Sequence, residues 1–226
     1  MGRRVFRLVE YIIDCICSII YGRNDTCIIC GELESEEYLC PKCRNNIRIM
    51  NLKHEIEKDG IKFQCYSLGA YSFTLKKLIL LLKYDKEFLA ARLIAKYLSE
   101  FIKDNIIDKI DMITFIPSSR ESLKKRGFNQ CEVICKFVSN DCNVPYKSLM
   151  YKEINGRDQI GLDTIKRWQN VKDSFKMKKS VDINGKRILL IDDVITTGAT
   201  AFYGAKCLKN SGALEVYILT VAKSRV

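Results

Sequence analysis

Residues Ile188 to Thr200 read I-L-L-I-D-D-V-I-T-T-G-A-T. The first four, Ile188 to Ile191, are continuously apolar and partly β-branched, the pattern of a short buried strand. Two adjacent carboxylates, Asp192 and Asp193, stand at its C-terminal end. The small, hydroxyl-rich run Thr196-Thr197-Gly198-Ala199-Thr200 then leads into an amphipathic helix. Such a junction binds anions, because the free N–H groups of the first helical turn and the helix dipole face the loop. Thr196, Thr197 and Thr200 add hydroxyl donors, and Gly198 lets the backbone approach closely. The carboxylates cannot bind phosphate, but they accept hydrogen bonds from sugar hydroxyls or help hold a Mg²⁺ that chelates a polyphosphate. A phosphate cradle beside a hydroxyl-binding acidic pair describes a phosphorylated ribose. Neither a Walker A loop nor a G-x-G-x-x-G fingerprint is present.

Outward from this stretch, strands alternate with helices. Phe63 to Phe73, with Gly69 in the middle, reads as paired strands or a hairpin. Leu75, Leu78, Ile79 and Leu82 mark a helix with Lys76, Lys77 and Lys83 turned outward. Leu89, Leu93, Ile94, Tyr97, Leu98 and Phe101 mark a second helix. Asp111 to Ile116 is a strand ending at Pro117, followed by a polar, basic loop from Ser118 to Arg126. Gly127-Phe128-Asn129-Gln130 opens a helix to about Val138. Further strands are expected near Tyr146 to Tyr151, at Ser174 to Met177 and at Leu214 to Ala222, with a helix over Thr200 to Lys209. The alternation implies a parallel α/β sheet, whose ligands sit beyond the carboxyl ends of strands, where both Asp193 and Pro117 fall. Residues 154–172 are polar and basic, as expected of a segment that covers a bound ligand.

Four of the eleven cysteines form a pattern, Cys27-x-x-Cys30, nine residues, Cys40-x-x-Cys43. Each C-x-x-C turn presents two thiolates to one point, and two such turns complete a tetrahedral Zn²⁺ site. Cys131 and Cys135 are four apart on a helix and read as small core residues. Residues 1–60 carry nine Lys/Arg and ten Asp/Glu, and residues 61–226 carry 29 against 17. With Glu32, Glu34, Glu36 and Glu37 between the cysteine pairs, the first segment reads as a structural knuckle. The second favours an anionic ligand, either a small phosphate ester or a polynucleotide. The expected division is therefore 1–60, an N-terminal helix with a four-cysteine zinc module, and 61–226, the α/β domain. The apolar run Y-I-I-D-C-I-C-S-I-I follows Arg3, Arg4 and Arg7. With Arg7, Glu10 and Asp14 at helical spacing, it reads as a packed amphipathic helix, too short and charged to span a membrane. His54, the single histidine, reads as a surface residue.

The strand, acid pair and T-T-G-x-T loop resemble the signature of type I phosphoribosyltransferases. That resemblance implies that Asp192 and Asp193 contact the ribose hydroxyls of phosphoribosyl pyrophosphate, as catalytic residues where transfer occurs. It also implies that Thr196, Thr197, Gly198, Ala199 and Thr200 hold the 5′-phosphate, with Mg²⁺ accompanying the pyrophosphate. The whole pattern resembles the ComF family (ComFC-type) of competence proteins: a C-x-x-C…C-x-x-C knuckle, Leu78-Ile79…Lys83-Tyr84, Arg126-Gly127-Phe128-Asn129-Gln130, Gln159-x-x-Leu162…Arg167-x-x-Asn170-Val171…Phe175, and the D-D-V-x-T-T-G-A-T loop. The fold so implied is a type I phosphoribosyltransferase-like parallel sheet with an N-terminal zinc-ribbon or knuckle module. Pro117, Ser118, Ser119, Arg120 and Arg126 then fall on the pyrophosphate loop, and Gln159, Arg167 and Asn170 on a flexible covering loop. Where the family usually shows V-P-V-P, Pro117 remains, and Ser122 stands where a basic residue is common, flanked by Arg120 and Lys124.

Arg126 reads either as a pyrophosphate or nucleic-acid contact or as a solvated charge, Asn129 and Gln130 as helix caps or site residues, and Trp168 as a packing anchor or a stacking platform. The resemblance implies a cytoplasmic protein linked to DNA uptake. It leaves open a phosphoribosyltransferase, a single-stranded-DNA-binding or sensor module, and a scaffold for a DNA-uptake motor or recombination proteins.

Overall fold

A computed structural model of the chain describes residues 26–33, 38–153, 168–169, 171–172, 174–178 and 181–224. The expected N-terminal helix and the positions Gln159, Arg167 and Asn170 lie outside the described residues. Two compact units divide between Ile47 and Arg48.

The first unit contains a cysteine-bearing turn and a short helix, α1 (Pro41–Asn45). The backbone N–H of Gly31 bonds the carbonyl of Cys27, that of Cys27 bonds the carbonyl of Glu32, and that of Arg44 bonds the carbonyl of Cys40. Cys40 caps α1, its Sγ accepting from the Cys43 N–H, and Pro41 occupies the first turn, where a missing N–H costs nothing.

The second unit is built on a five-stranded sheet of order β1-β2-β7-β6-β3. Its strands are β1 (Leu52–Lys58), β2 (Ile61–Ala70), β3 (Met112–Phe115), β6 (Arg187–Ile195) and β7 (Glu215–Lys223). All neighbours run parallel except β1, which pairs antiparallel with β2 through the Asp59-Gly60 turn. The sheet is thus the expected parallel α/β type, with one difference. The partner of β2 is β1, from residues that the sequence groups with the cysteine module, and not a strand within Phe63 to Phe73. A second, two-stranded sheet pairs β4 (Met150–Lys152) with β5 (Phe175–Met177), so most of the expected strand at Tyr146 to Tyr151 is reduced to a single bridge, Ile113 to Tyr146.

The helices are α2 (Phe73–Leu80), a π turn (Leu81–Asp85), α3 (Phe88–Asn105), α4 (Arg120–Arg126), α5 (Gln130–Cys142) and α6 (Ala199–Asn210). Ile188 and Leu190 of β6 pack with Ile218 of β7, Phe63 of β2 and Phe202 and Leu208 of α6. Burying such side chains contributes about 1.5–3 kcal/mol each. Trp168 meets Phe202 and Tyr203 edge-on at centroid distances of 5.5 and 5.9 Å and receives Lys58 against its ring at 5.0 Å, which makes it a packing anchor. The opposite ends of β3 and β6 are held together by Asp111, which takes Arg187 in a two-pronged ion pair and accepts its backbone N–H. His54 is half-buried on β1, not a surface residue. Both ring nitrogens are buried without a hydrogen-bond partner among the described residues, and burial first, then Lys223, lowers its pKa.

Candidate functional site

In the first unit the Sγ atoms of Cys27, Cys30, Cys40 and Cys43 all lie within 4.8 Å of one another. Cys30 Sγ and Cys40 Sγ are 3.6 Å apart, close to the ~3.8 Å edge of a tetrahedron with metal–sulfur bonds of about 2.3 Å. Burial raises the Cys27 thiol, but backbone N–H donors from Cys40, Cys30 and Ile29 outweigh it and bring the pKa down to about 6. The four cysteines that the spacing selects are therefore gathered, and their thiolates can hold one tetrahedral ion.

In the second unit the acid pair lies inside β6 and not after it. β6 runs on to Ile195 because β7 continues to pair with it, Asp192 opposite Thr220 and Ile195 opposite Lys223. On the other side β3 stops at Phe115, opposite Ile191. Asp192 and Asp193 thus stand where β3 departs, at the carboxyl end of the sheet, and Pro117 begins the loop beside them. Both residues are withdrawn from solvent, at 8% and 7% exposure.

Three side chains converge on the acids. Lys83 Nζ is 2.5 Å from Asp193 Oδ2, and the same oxygen accepts from Gln130 Nε2 at 2.7 Å. Cys131 Sγ donates to Asp192 Oδ1 at 3.7 Å. Burial first, then the charge of Asp193, pushes the Asp192 carboxyl up to about 7. Burial opposes the charged form of Lys83, yet Asp193 more than offsets it and raises the ammonium's pKa. Burial, with both carboxylates adding to it, pushes the Cys131 thiol well above its ordinary value, which leaves it an inert S–H donor.

The R-G-F-N-Q motif accounts for this geometry residue by residue. Arg126 ends α4, and Gly127 (φ 86°) makes the left-handed turn that returns its N–H to the Leu123 carbonyl. Phe128 packs on Phe88, with centroids 5.2 Å apart. Asn129 caps α5, its Oδ1 accepting from the N–H groups of Cys131 and Glu132, while its Nδ2 donates to the Ile116 carbonyl and ties the helix start to the end of β3. Gln130 is then the first helical residue, and it bridges two charges. Its Oε1 accepts from Arg126 at 2.9 Å and its Nε2 donates to Asp193. Arg126 also lies over the Tyr84 ring at 5.9 Å.

The threonine-rich residues Thr196 to Thr200 lie between the end of β6 and the first turn of α6. Gly198 (φ 83°) caps α6, and a Cβ there would sit 3.1 Å from Ile56 Cγ2. Thr197 Oγ1 accepts from the Ala199 N–H at 3.4 Å, and Thr196 is exposed. Gly204 lets α6 approach the sheet, where a Cβ would meet Ile116 Cδ1 at 2.6 Å. The expected basic loop Ser118 to Arg126 folds as α4, capped by Ser119, whose Oγ accepts from the Ser122 N–H at 3.2 Å. Arg120 is exposed on that helix and makes no contact with the acids among the described bonds. The site residue that sequence periodicity misplaces is Lys83. Its spacing puts it on an outward face with Lys76 and Lys77, and the π turn instead rotates it inward while Leu82 stays buried.

Similarity to known proteins extends over most of the chain. No family model matches the chain. It is 27% identical over 216 residues to Competence protein ComFC of Streptococcus pneumoniae, covering 91% of this chain and 92% of that one. It is 27% identical over 202 residues to Competence protein F of Haemophilus influenzae, covering 86% and 84%. Over most of its length the chain is similar to ComFC-type competence proteins. DNA utilization protein YhgH of Escherichia coli matches at 23% over 93% of this chain and 95% of that protein. Among solved structures, adenine phosphoribosyltransferase from Thermoanaerobacter pseudethanolicus aligns with 77% of the chain and 97% of its own, at 17% identity and a TM-score of 0.42. Glutamine phosphoribosylpyrophosphate amidotransferase from B. subtilis aligns with 57% at 23% identity and a TM-score of 0.38, and the chain spans about a quarter (26%) of that enzyme. No helix among the described residues is long and apolar enough to cross a membrane.

Proposed function

We propose that the second unit binds phosphoribosyl pyrophosphate or a closely related phosphoribosyl ligand, in a cytoplasmic protein that serves DNA uptake or handling. The observation that carries this reading is the pairing of an oriented, buried acid pair with a threonine-rich loop at the start of α6, both at the carboxyl end of one strand. Anchoring a 5′-phosphate on the loop places ribose hydroxyls over the acids. Arg126, held by Gln130, supplies positive charge beside them for a diphosphate, which would bring its own Mg²⁺. The names of the competence relatives support the DNA-handling role, and the cysteine cluster supports a structural Zn²⁺ in the first unit.

The test is a titration of phosphoribosyl pyrophosphate and of ribose 5-phosphate into the zinc-loaded chain and its Thr197→Val/Thr200→Val variant. The reading expects saturable binding of both, with both affinities lowered about ten-fold by the variant, the loss of one or two hydrogen bonds to a charged group. Equal affinity in the variant removes the loop from the site.

One observation favours a second reading. Tyr84 is 62% exposed and carries Arg126 on its ring, while Lys86, Lys124 and Lys125 are exposed nearby in the chain. Exposed aromatic rings among cations suit single-stranded DNA, since bases stack on them and phosphates follow the charge. Salt-sensitive binding of an oligothymidylate, weakened by Tyr84→Ala and unaffected by Asp192→Asn, is its signature.

A further inference from the structure

The acid pair already contains a cation. Lys83 Nζ contacts Asp193 Oδ2, and the Gln130 amide donates to the same atom. A carboxylate oxygen offers two lone pairs, so this oxygen is filled by these two donors. Asp193 Oδ1 accepts the Val194 N–H at 2.6 Å, and Asp192 Oδ1 accepts the Asp193 N–H at 2.9 Å and the Cys131 thiol. The third group within ligand distance of the two acids is that buried thiol.

This donor set does not suit directly bound Mg²⁺. Mg²⁺ demands a near-ideal octahedron of oxygen ligands and keeps several of its waters. Here an ammonium and an amide N–H₂ fill Asp193 Oδ2, and an S–H and a backbone N–H fill Asp192 Oδ1. Asp192 Oδ2 is therefore the oxygen with no donor among the described bonds, enough to accept a sugar hydroxyl but not to hold Mg²⁺ together with the rest of the pair. An incoming dication would also meet the positive charge of Lys83 in a site screened little by water.

We propose that Lys83 is the resident cation of the acid pair: a positioning residue that orients Asp193, takes the place of a divalent metal there, and makes sugar recognition at the acids metal-independent. The recognition half of this inference rests on the phosphoribosyl reading; the exclusion of metal does not. The π turn is the device that makes it possible. Placed between α2 and α3, it turns Lys83 off the solvent face that Lys76 and Lys77 occupy. Gln130 donates to the same oxygen, so Asp193 is held by two elements distant in sequence.

Two titrations of the full, zinc-loaded chain test this. In the first, Mn²⁺ is added without any ligand to wild type, Asp193→Asn, Lys83→Met, Lys83→Arg and Lys83→Met/Asp193→Asn, with binding followed by the paramagnetic resonance of free Mn²⁺. The expected result is no site in wild type that Asp193→Asn removes, a new site in Lys83→Met at least ten-fold tighter than any residual Mn²⁺ binding to wild type and lost in the double variant, and none in Lys83→Arg, which keeps the charge. A wild-type site at the acids as tight as that of Lys83→Met overturns the proposal, as does a Lys83→Met protein that is folded and gains none.

In the second, ribose 5-phosphate, which has no diphosphate to recruit a metal, is titrated in buffer freed of divalent ions on a chelating resin, so that the structural Zn²⁺ stays bound, or with Mg²⁺ added. Affinities within two-fold of each other in wild type support the proposal, and a ten-fold dependence on Mg²⁺ contradicts it. Absence of any ribose 5-phosphate binding contradicts the phosphoribosyl reading, while the Mn²⁺ titration still decides the role of Lys83.

Discussion

Lys83 and Asp193 form an ion pair of 2.5 Å whose side chains are only 18% and 9% exposed. Ion pairs on a protein surface contribute little, but a buried pair is different, because removing one partner strands the other charge away from water. The pair connects the π turn to β6, so the same contact that orients the carboxylate also fixes the turn between α2 and α3.

Asp193→Ala leaves the Lys83 ammonium without its partner and is expected to destabilise the second unit by about 3–5 kcal/mol. Asp193→Asn keeps an acceptor for Lys83 and Gln130 and costs less. Urea unfolding of the two variants beside wild type checks both the loss and its order.

Asp192 makes stability fall with rising pH. Its carboxyl is pushed from the ordinary 3.8 to about 7, by burial first and by Asp193 second. The folded state therefore holds a proton that the unfolded state releases. Stability from this group is complete below pH 3.8 and is lost as pH rises through about 7. Between about pH 4.5 and 8, the urea midpoint of Asp192→Asn should decline less than that of wild type. Parallel decline in the two proteins contradicts the assignment.

Gly198 sits at φ 83°, with Ile56 Cγ2 3.1 Å from where a Cβ would lie. Gly198→Ala forces a side chain into both constraints, at a cost of about 1–2 kcal/mol from the backbone conformation alone. Because this residue caps α6, phosphoribosyl affinity should fall along with the thermal midpoint, measured on the same samples.

Cys27→Ser removes a buried member of the cysteine cluster. Metal content should drop from one Zn²⁺ per chain to a small fraction. Structural zinc of this kind contributes folding energy on the order of 10–16 kcal/mol, so protease cleavage should appear within residues 26–47. The sheet built on β6 and β7 should keep its unfolding transition. Loss of that transition would show that the second unit depends on the first.

Much of this architecture is legible in the sequence, because the residues concerned are contiguous. The strand from Ile188, the acids and the loop to Thr200 lie in one run, and two C-x-x-C turns announce their own geometry. The R-G-F-N-Q motif is visible, but its meaning is not. Gln130 reads as a helix-start residue until its amide is seen on Asp193. Lys83 is hidden for a clearer reason. Helical periodicity puts it with Lys76 and Lys77, and one π turn breaks the period just before it. β1 escapes because its face alternates Leu52, His54 and Ile56 with the charged Lys53, Glu55 and Glu57. The pattern is that of an edge strand, yet the segment lies so close to the cysteines that it groups with them. α4 has no buried residue, so no apolar stripe marks it.

On the proposed function, the acid pair and the loop form one phosphoribosyl site. The most direct measurement is a calorimetric titration of phosphoribosyl pyrophosphate with Mg²⁺ into the zinc-loaded chain and into Asp193→Asn. Such a site gives saturable one-site binding to wild type, weakened at least ten-fold by the substitution while the variant stays folded. No binding to the folded wild-type chain, or equal binding to the variant, would contradict it.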